Sequence, residues 1–148
     1  MQDDLWRYAC ELYARPGVEA ACLQAQAKGA DVCVALCALW LEARGVEWSA
    51  PRGACLQATA EAWSGTVIAP LRTLRQQWRS AALADPALAH LRESVKRLEL
   101  EAEQALLERL EKTAGGWPPQ RATEPRWVDW AVADTNARLA LRAAATEG

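Results

Sequence analysis

The chain contains no phenylalanine, one isoleucine (Ile68), one methionine and one histidine (His90) in 148 residues. Scarce Ile and absent Phe, with few alternating apolar and polar stretches, leave almost no β-strand signal. A single histidine excludes the His-rich metal clusters, and His90 has no nucleophile beside it in a recognisable pattern. No C-x-x-C occurs, which speaks against a thioredoxin-type redox pair. No glycine loop of phosphate-cradling pattern is present. The longest apolar run, Val32 to Leu41, is about 15 Å of helix, too short to span a bilayer. The N-terminal MQDDLWRYAC is acidic and lacks the layout of a signal peptide. The net charge of -2 gives no general reason to expect nucleic acid.

What the chain does have is helix-forming composition. Ala, Leu, Arg, Glu and Gln dominate, 51% of residues are apolar and 24% are charged. Arginine far outnumbers lysine, as a GC-rich bacterial genome would produce. The length fits one domain with a real core. Five cysteines, Cys10, Cys22, Cys33, Cys37 and Cys55, sit in apolar helical contexts. Their odd number fits reduced thiols in a cytoplasmic protein.

The fold expected is an all-α, single-domain bundle of six or seven helices. It is organised around DVCVALCALWL, the start of a buried central helix over about 31–44. A helix that is apolar all round is buried all round. Asp3 or Asp4 caps a first helix to about Ala14, with Leu5, Trp6, Ala9, Cys10, Leu12 and Tyr13 as its stripe. Pro16 serves the first turn of a second helix that Gly29 ends, with Val18, Ala21, Cys22 and Ala25 inward. Asp31 starts the central helix and Ser49-Ala50-Pro51 starts the fourth, whose inward positions are Cys55, Leu56, Ala60 and Trp63. Ser64-Gly65 interrupts it. Pro70 opens a new helix or kinks one long helix, and the first option is preferred.

Asp85-Pro86 starts the longest helix, to about Lys112. Its seam Leu88, Leu91, Val95, Leu98, Ala102, Ala105 alternates three and four, a heptad-like pattern. With the helix before it, this forms an antiparallel hairpin. Residues 113–125 read as a Pro/Gly-rich loop leading to a last helix over 126–145, with Trp130, Ala133, Ala137 and Leu141 inward.

Two segments carry a family resemblance: YARPGVEAACLQAQAKGADVCVALCALWLEARGV (Tyr13 to Val46) and VIAPLRTLRQQWR (Val67 to Arg79). The order PGV, GADV, the Leu-Trp-Leu helix, then Pro-Leu-Arg resembles a small proteobacterial, pseudomonad-type family, a domain of unknown function. The resemblance implies a bacterial, cytoplasmic, helical protein. It implies no activity, cofactor or site residue.

Candidate chemistry is sparse. Cys33 and Cys37 share a helix face and could form one edge of a metal site. Buried free cysteines are more often small core residues, so no metal ligand is assigned. Arg72, Arg75 and Arg79 form one stripe, with no acid between Gly65 and Ala84. Such a stripe could bind phosphate groups or an acidic partner, or pair internally with some of Glu99, Glu101, Glu103, Glu108 and Glu111 on the next helix. Trp127 and Trp130 on the last helix are interface anchors if exposed, or core if the proline-rich loop folds back.

The reading is a non-enzymatic adaptor or regulator. It would contact a protein partner, or a second copy as a homodimer, through Arg72, Arg75, Arg79, Trp127 and Trp130. No cofactor, membrane or nucleic acid is called for. The alternative is a small-molecule or metal carrier with a pocket inside the bundle.

Overall fold

The computed structural model describes residues 4–119 and 125–146. Its described residues contain seven helices of nine residues or more and one of five. They are α1 (Asp4–Tyr13), α2 (Val18–Ala27), α3 (Val32–Ala43), α4 (Ala50–Trp63), α5 (Ala69–Gln77), α6 (Pro86–Ala114), α7 (Trp127–Ala131) and α8 (Thr135–Thr146). The all-α class holds. One isolated bridge, Val46 to Pro119, is the only β pairing among the described residues.

The chain divides into two compact units: residues 1–60 with 107–148, and residues 61–106. In the first unit α3 is the hub and packs on α1, α2, α7 and α8. Nine consecutive α3 residues, Cys33 to Leu41, are buried. Asp31 caps α3, its carboxylate accepting from Cys33 N–H (2.9 Å) and Val34 N–H (3.3 Å). Val18, Ala21, Cys22 and Ala25 line the buried face of α2 as their spacing predicts. That helix starts two residues later than expected, because Gly17 at φ 84° forms its N-cap and leaves Pro16 in the turn. On α1, Leu5, Ala9 and Leu12 are buried, but Cys10 and Tyr13 are exposed. The expected cap at Asp3 lies outside the described residues.

The expected last helix is two. Val132 is extended at φ -127°, ψ 108°, and Asp134 begins a new helix by accepting from Ala137 N–H at 2.9 Å. The break shifts the phase, so Val132 is buried where Ala133 was expected.

The second unit is a hairpin. Its helical entry does not stop at Ser64-Gly65. Trp63, Ile68 and Ala69 all keep right-handed helical backbone, and Ser64–Ile68 forms a π-helical turn. Ala69 N–H reaches back five residues to Ser64 C=O. This wide turn answers Pro70, which has no N–H to give and whose ring crowds the carbonyl four residues back. The preferred reading of a fresh start at Pro70 is therefore replaced by a widened, continuous helix. A 3-10 turn at Ala81–Leu83 leads to Asp85, which caps α6 through Ala87 N–H (3.1 Å) and Leu88 N–H (3.3 Å).

Candidate interaction surface

In the hairpin the arginine stripe meets glutamates. Arg72 Nε donates to Glu99 Oε2 at 3.0 Å and its Nη2 lies 3.8 Å from Glu103. Arg75 Nε donates to Glu99 Oε1 at 2.5 Å and Nη2 to Glu99 Oε2 at 3.3 Å. Arg92 donates to the Arg75 carbonyl at 2.9 Å. Partner numbers on α6 fall as numbers on α5 rise, so the helices are antiparallel.

Glu99 is buried, 7% exposed. Burial pushes its carboxyl up, but hydrogen bonds and charge from Arg75 and Arg72 outweigh that, and it is held below the usual carboxylate range. Arg72 and Arg75 are thus committed inside the hairpin, and Arg79 is left exposed.

The other flank of the hairpin is apolar. At 100° per residue, Leu71 and Leu74 lie across the contact line from Arg72 on α5, and Trp78 continues their side at the C-cap. By the same count, Leu91, Leu98 and Ala105 lie across it from Glu99 and Glu103 on α6. Arg72 reaches Glu103, so the two ionic flanks are on one side and the two apolar flanks share the other. The heptad-like seam of α6 is split. Val95 and Ala102 are buried and Leu88 is half-buried, while Leu91 is 52% and Leu98 51% exposed. Leu74 is 36% exposed. A two-helix hairpin covers one row of a seam whose two rows are both apolar.

In the first unit the tryptophans form a cluster. Trp127 is 1% exposed and its Nε1 donates to the Val46 carbonyl at 2.9 Å. It stacks on Trp117 (centroids 5.7 Å, 17°) and meets Trp130 edge-on (5.8 Å, 84°). The chain at 117–119 folds back, with Arg52 over the Trp117 ring at 5.3 Å and Pro119 bridged to Val46. Residues 120–124 of the expected loop lie outside the described residues. Gly53 floors the cluster: a Cβ there would meet Trp130 at 3.1 Å and Trp48 Nε1 at 3.2 Å. Trp127 is therefore a core residue and not an exposed anchor, and Trp130 is half-buried against it.

Glu42, which no sequence motif marks, ties three helices together. Its Oε2 accepts from Val128 N–H (2.8 Å) at the start of α7 and from Arg142 Nη2 (2.9 Å) on α8. Arg142 also holds Asp129 at 2.9 Å. One acid at the end of a ten-residue apolar run was the available signal. Arg15 donates to the Ala144 carbonyl at 2.6 Å, which ties the end of α8 to the turn after α1.

Burial holds Cys22 and Cys37 in the thiol form. Cys33 and Cys37 are buried, and burial, then Glu111, pushes the Cys37 thiol far up. Burial, then Glu19, raises Cys22 to about 11. Protonated thiols neither ligate metal well nor attack as nucleophiles. Among the described residues no group of three or more His, Cys, Asp and Glu is placed to hold a metal ion.

An all-α protein with a half-covered heptad hairpin is the class these features define. A family of proteins of unknown function, DUF2390, matches residues 4–110, and the chain belongs to it. The match takes in the hub helix α3 and the hairpin unit. Neither the curated proteins nor the solved structures contain a match to the chain. No helix of the described residues is long and apolar enough to cross a membrane.

Proposed function

We propose that the chain is a non-enzymatic interaction protein that holds its partner on the apolar flank of the α5–α6 hairpin. The observation that carries this is the uncovered row Leu91 and Leu98, flanked by Leu74, beside a buried row on the same helix. Scattered surface leucines need no explanation, but a contiguous row in heptad register does. The arginine side is the wrong side for a partner, because Arg72 and Arg75 already hold Glu99. All five cysteines are free thiols, which supports a reducing, cytoplasmic setting, and the Ala- and Arg-rich composition supports a bacterial one.

A photo-crosslinking residue placed in living cells at position 98, and separately at position 79, tests the flank. Crosslinked protein is expected from position 98 and little from 79. Crosslinking from 79 alone contradicts the proposal.

A further inference from the structure

We infer that the occupant of this flank is a second copy of the chain, its hairpin laid against the first to complete a four-helix bundle. The inference rests on the interaction reading above and adds the partner to it.

Three features of the flank support self-pairing. The first is its charge. Leu71 and Leu74 on α5, Trp78 at its C-cap, and Ala87, Leu91, Ser94 and Leu98 on α6 are all uncharged, and the first charge along the α6 row is Glu101. A two-fold contact sets residues near its axis against their own copies, so a charge near Ser94 would face a like charge. Four charges of this hairpin, Arg72, Arg75, Glu99 and Glu103, lie on the opposite flank, where they neutralise one another.

The second feature is register. Ala87, Leu91, Ser94, Leu98 and Ala105 follow the four-three-four spacing of a coiled-coil seam, broken only at Glu101. Leu91 and Leu98 stand one heptad apart about a small central residue, Ser94, so an antiparallel copy brings each leucine near the other's counterpart. The row is self-complementary about that point.

The third is size. From Ala87 to Ala105 is about 27 Å of helix, and two helices set about 9 Å apart give a face about 18 Å wide. That is about 500 Å² per copy, or about 1,000 Å² for the pair, at the lower bound for a specific interface. The association is therefore weak and depends on concentration.

Sedimentation equilibrium of the full chain from about 1 µM to about 1 mM tests this. A monomer–dimer equilibrium is expected across that range. Leu91→Glu with Leu98→Glu should give a monomer throughout, with an unchanged circular dichroism spectrum, since both side chains are half in solvent. Ser94→Leu adds a leucine to the middle of the row. It should tighten the dimer about tenfold, the effect of roughly 1.4 kcal/mol of added burial.

A wild-type chain that stays monomeric at about 1 mM overturns the inference. So does a dimer that Ser94→Leu and the double Glu variant both leave unchanged. If the wild type is monomeric while position 98 crosslinks a different protein in cells, the second copy is wrong and the interaction flank stands. If position 98 crosslinks nothing, the flank itself is wrong.

Discussion

Trp127→Ala is expected to lower the unfolding free energy by about 3–5 kcal/mol, the range for large aromatic residues removed from a core. The indole is 1% exposed, stacked on Trp117 and edge-on to Trp130. Truncation opens a cavity among rigid rings that cannot collapse into it. It also strips the Val46 carbonyl of its indole donor in a buried place. Domains of this size are stable by only about 5–15 kcal/mol, so the variant sits close to unfolding at room temperature. Urea denaturation followed by tryptophan fluorescence measures the loss. Trp117→Ala, which removes a half-buried ring, should cost clearly less. A loss under about 1 kcal/mol for Trp127→Ala would place that ring on the surface and return it to the list of exposed anchors.

The second large effect belongs to Glu99. Replacing both Arg72 and Arg75 by alanine leaves a buried carboxylate with neither of its two partners and should cost about 3 kcal/mol at pH 7, as removing one side of a buried ion pair does. The pH dependence carries more information than the size. In the wild type, the arginines hold the Glu99 carboxyl below its ordinary range despite burial. Its stabilising contribution is therefore complete above the ordinary carboxylate pKa and is lost as pH falls through the lowered value. Without the arginines, burial acts alone and raises the pKa. The double variant should then gain stability relative to the wild type as pH falls from 7 towards 4. Denaturation midpoints of both proteins across pH 4–7 measure this. Parallel curves would mean that Glu99 is not held by these arginines.

Much of this arrangement was legible from periodicity and punctuation. The run Val32 to Leu41 announced a hub, and Cys33 to Leu41 are all buried. Asp31 and Asp85 cap the helices they precede. Other features depend on how many neighbours a helix has, which spacing does not report. The seam of α6 marks two apolar rows correctly, yet one packing partner covers only one row, so Leu91 and Leu98 stay exposed. Glu42 fell outside the reading because its partners, Val128 and Arg142, lie far along the chain. The π turn at Ser64–Ile68 was hidden by a local rule: proline and glycine usually punctuate a helix, and here the helix widens around Pro70 instead. The spacing of the arginine stripe allowed a docking face but favoured a solvated or internally paired one. Only the position of Glu99 against Arg72 and Arg75 decides between them.

Cysteine accessibility in intact cells distinguishes the two sides of the hairpin. The background carries Cys10→Ser and Cys55→Ser, which removes the two exposed natural thiols. Leu98→Cys and Arg79→Cys then report on the two sides of the hairpin through their rates of maleimide labelling. Leu98→Cys is expected to label readily in dilute purified protein and to be protected in cells, while Arg79→Cys labels in both. Equal labelling of the two positions in cells would contradict the interaction flank.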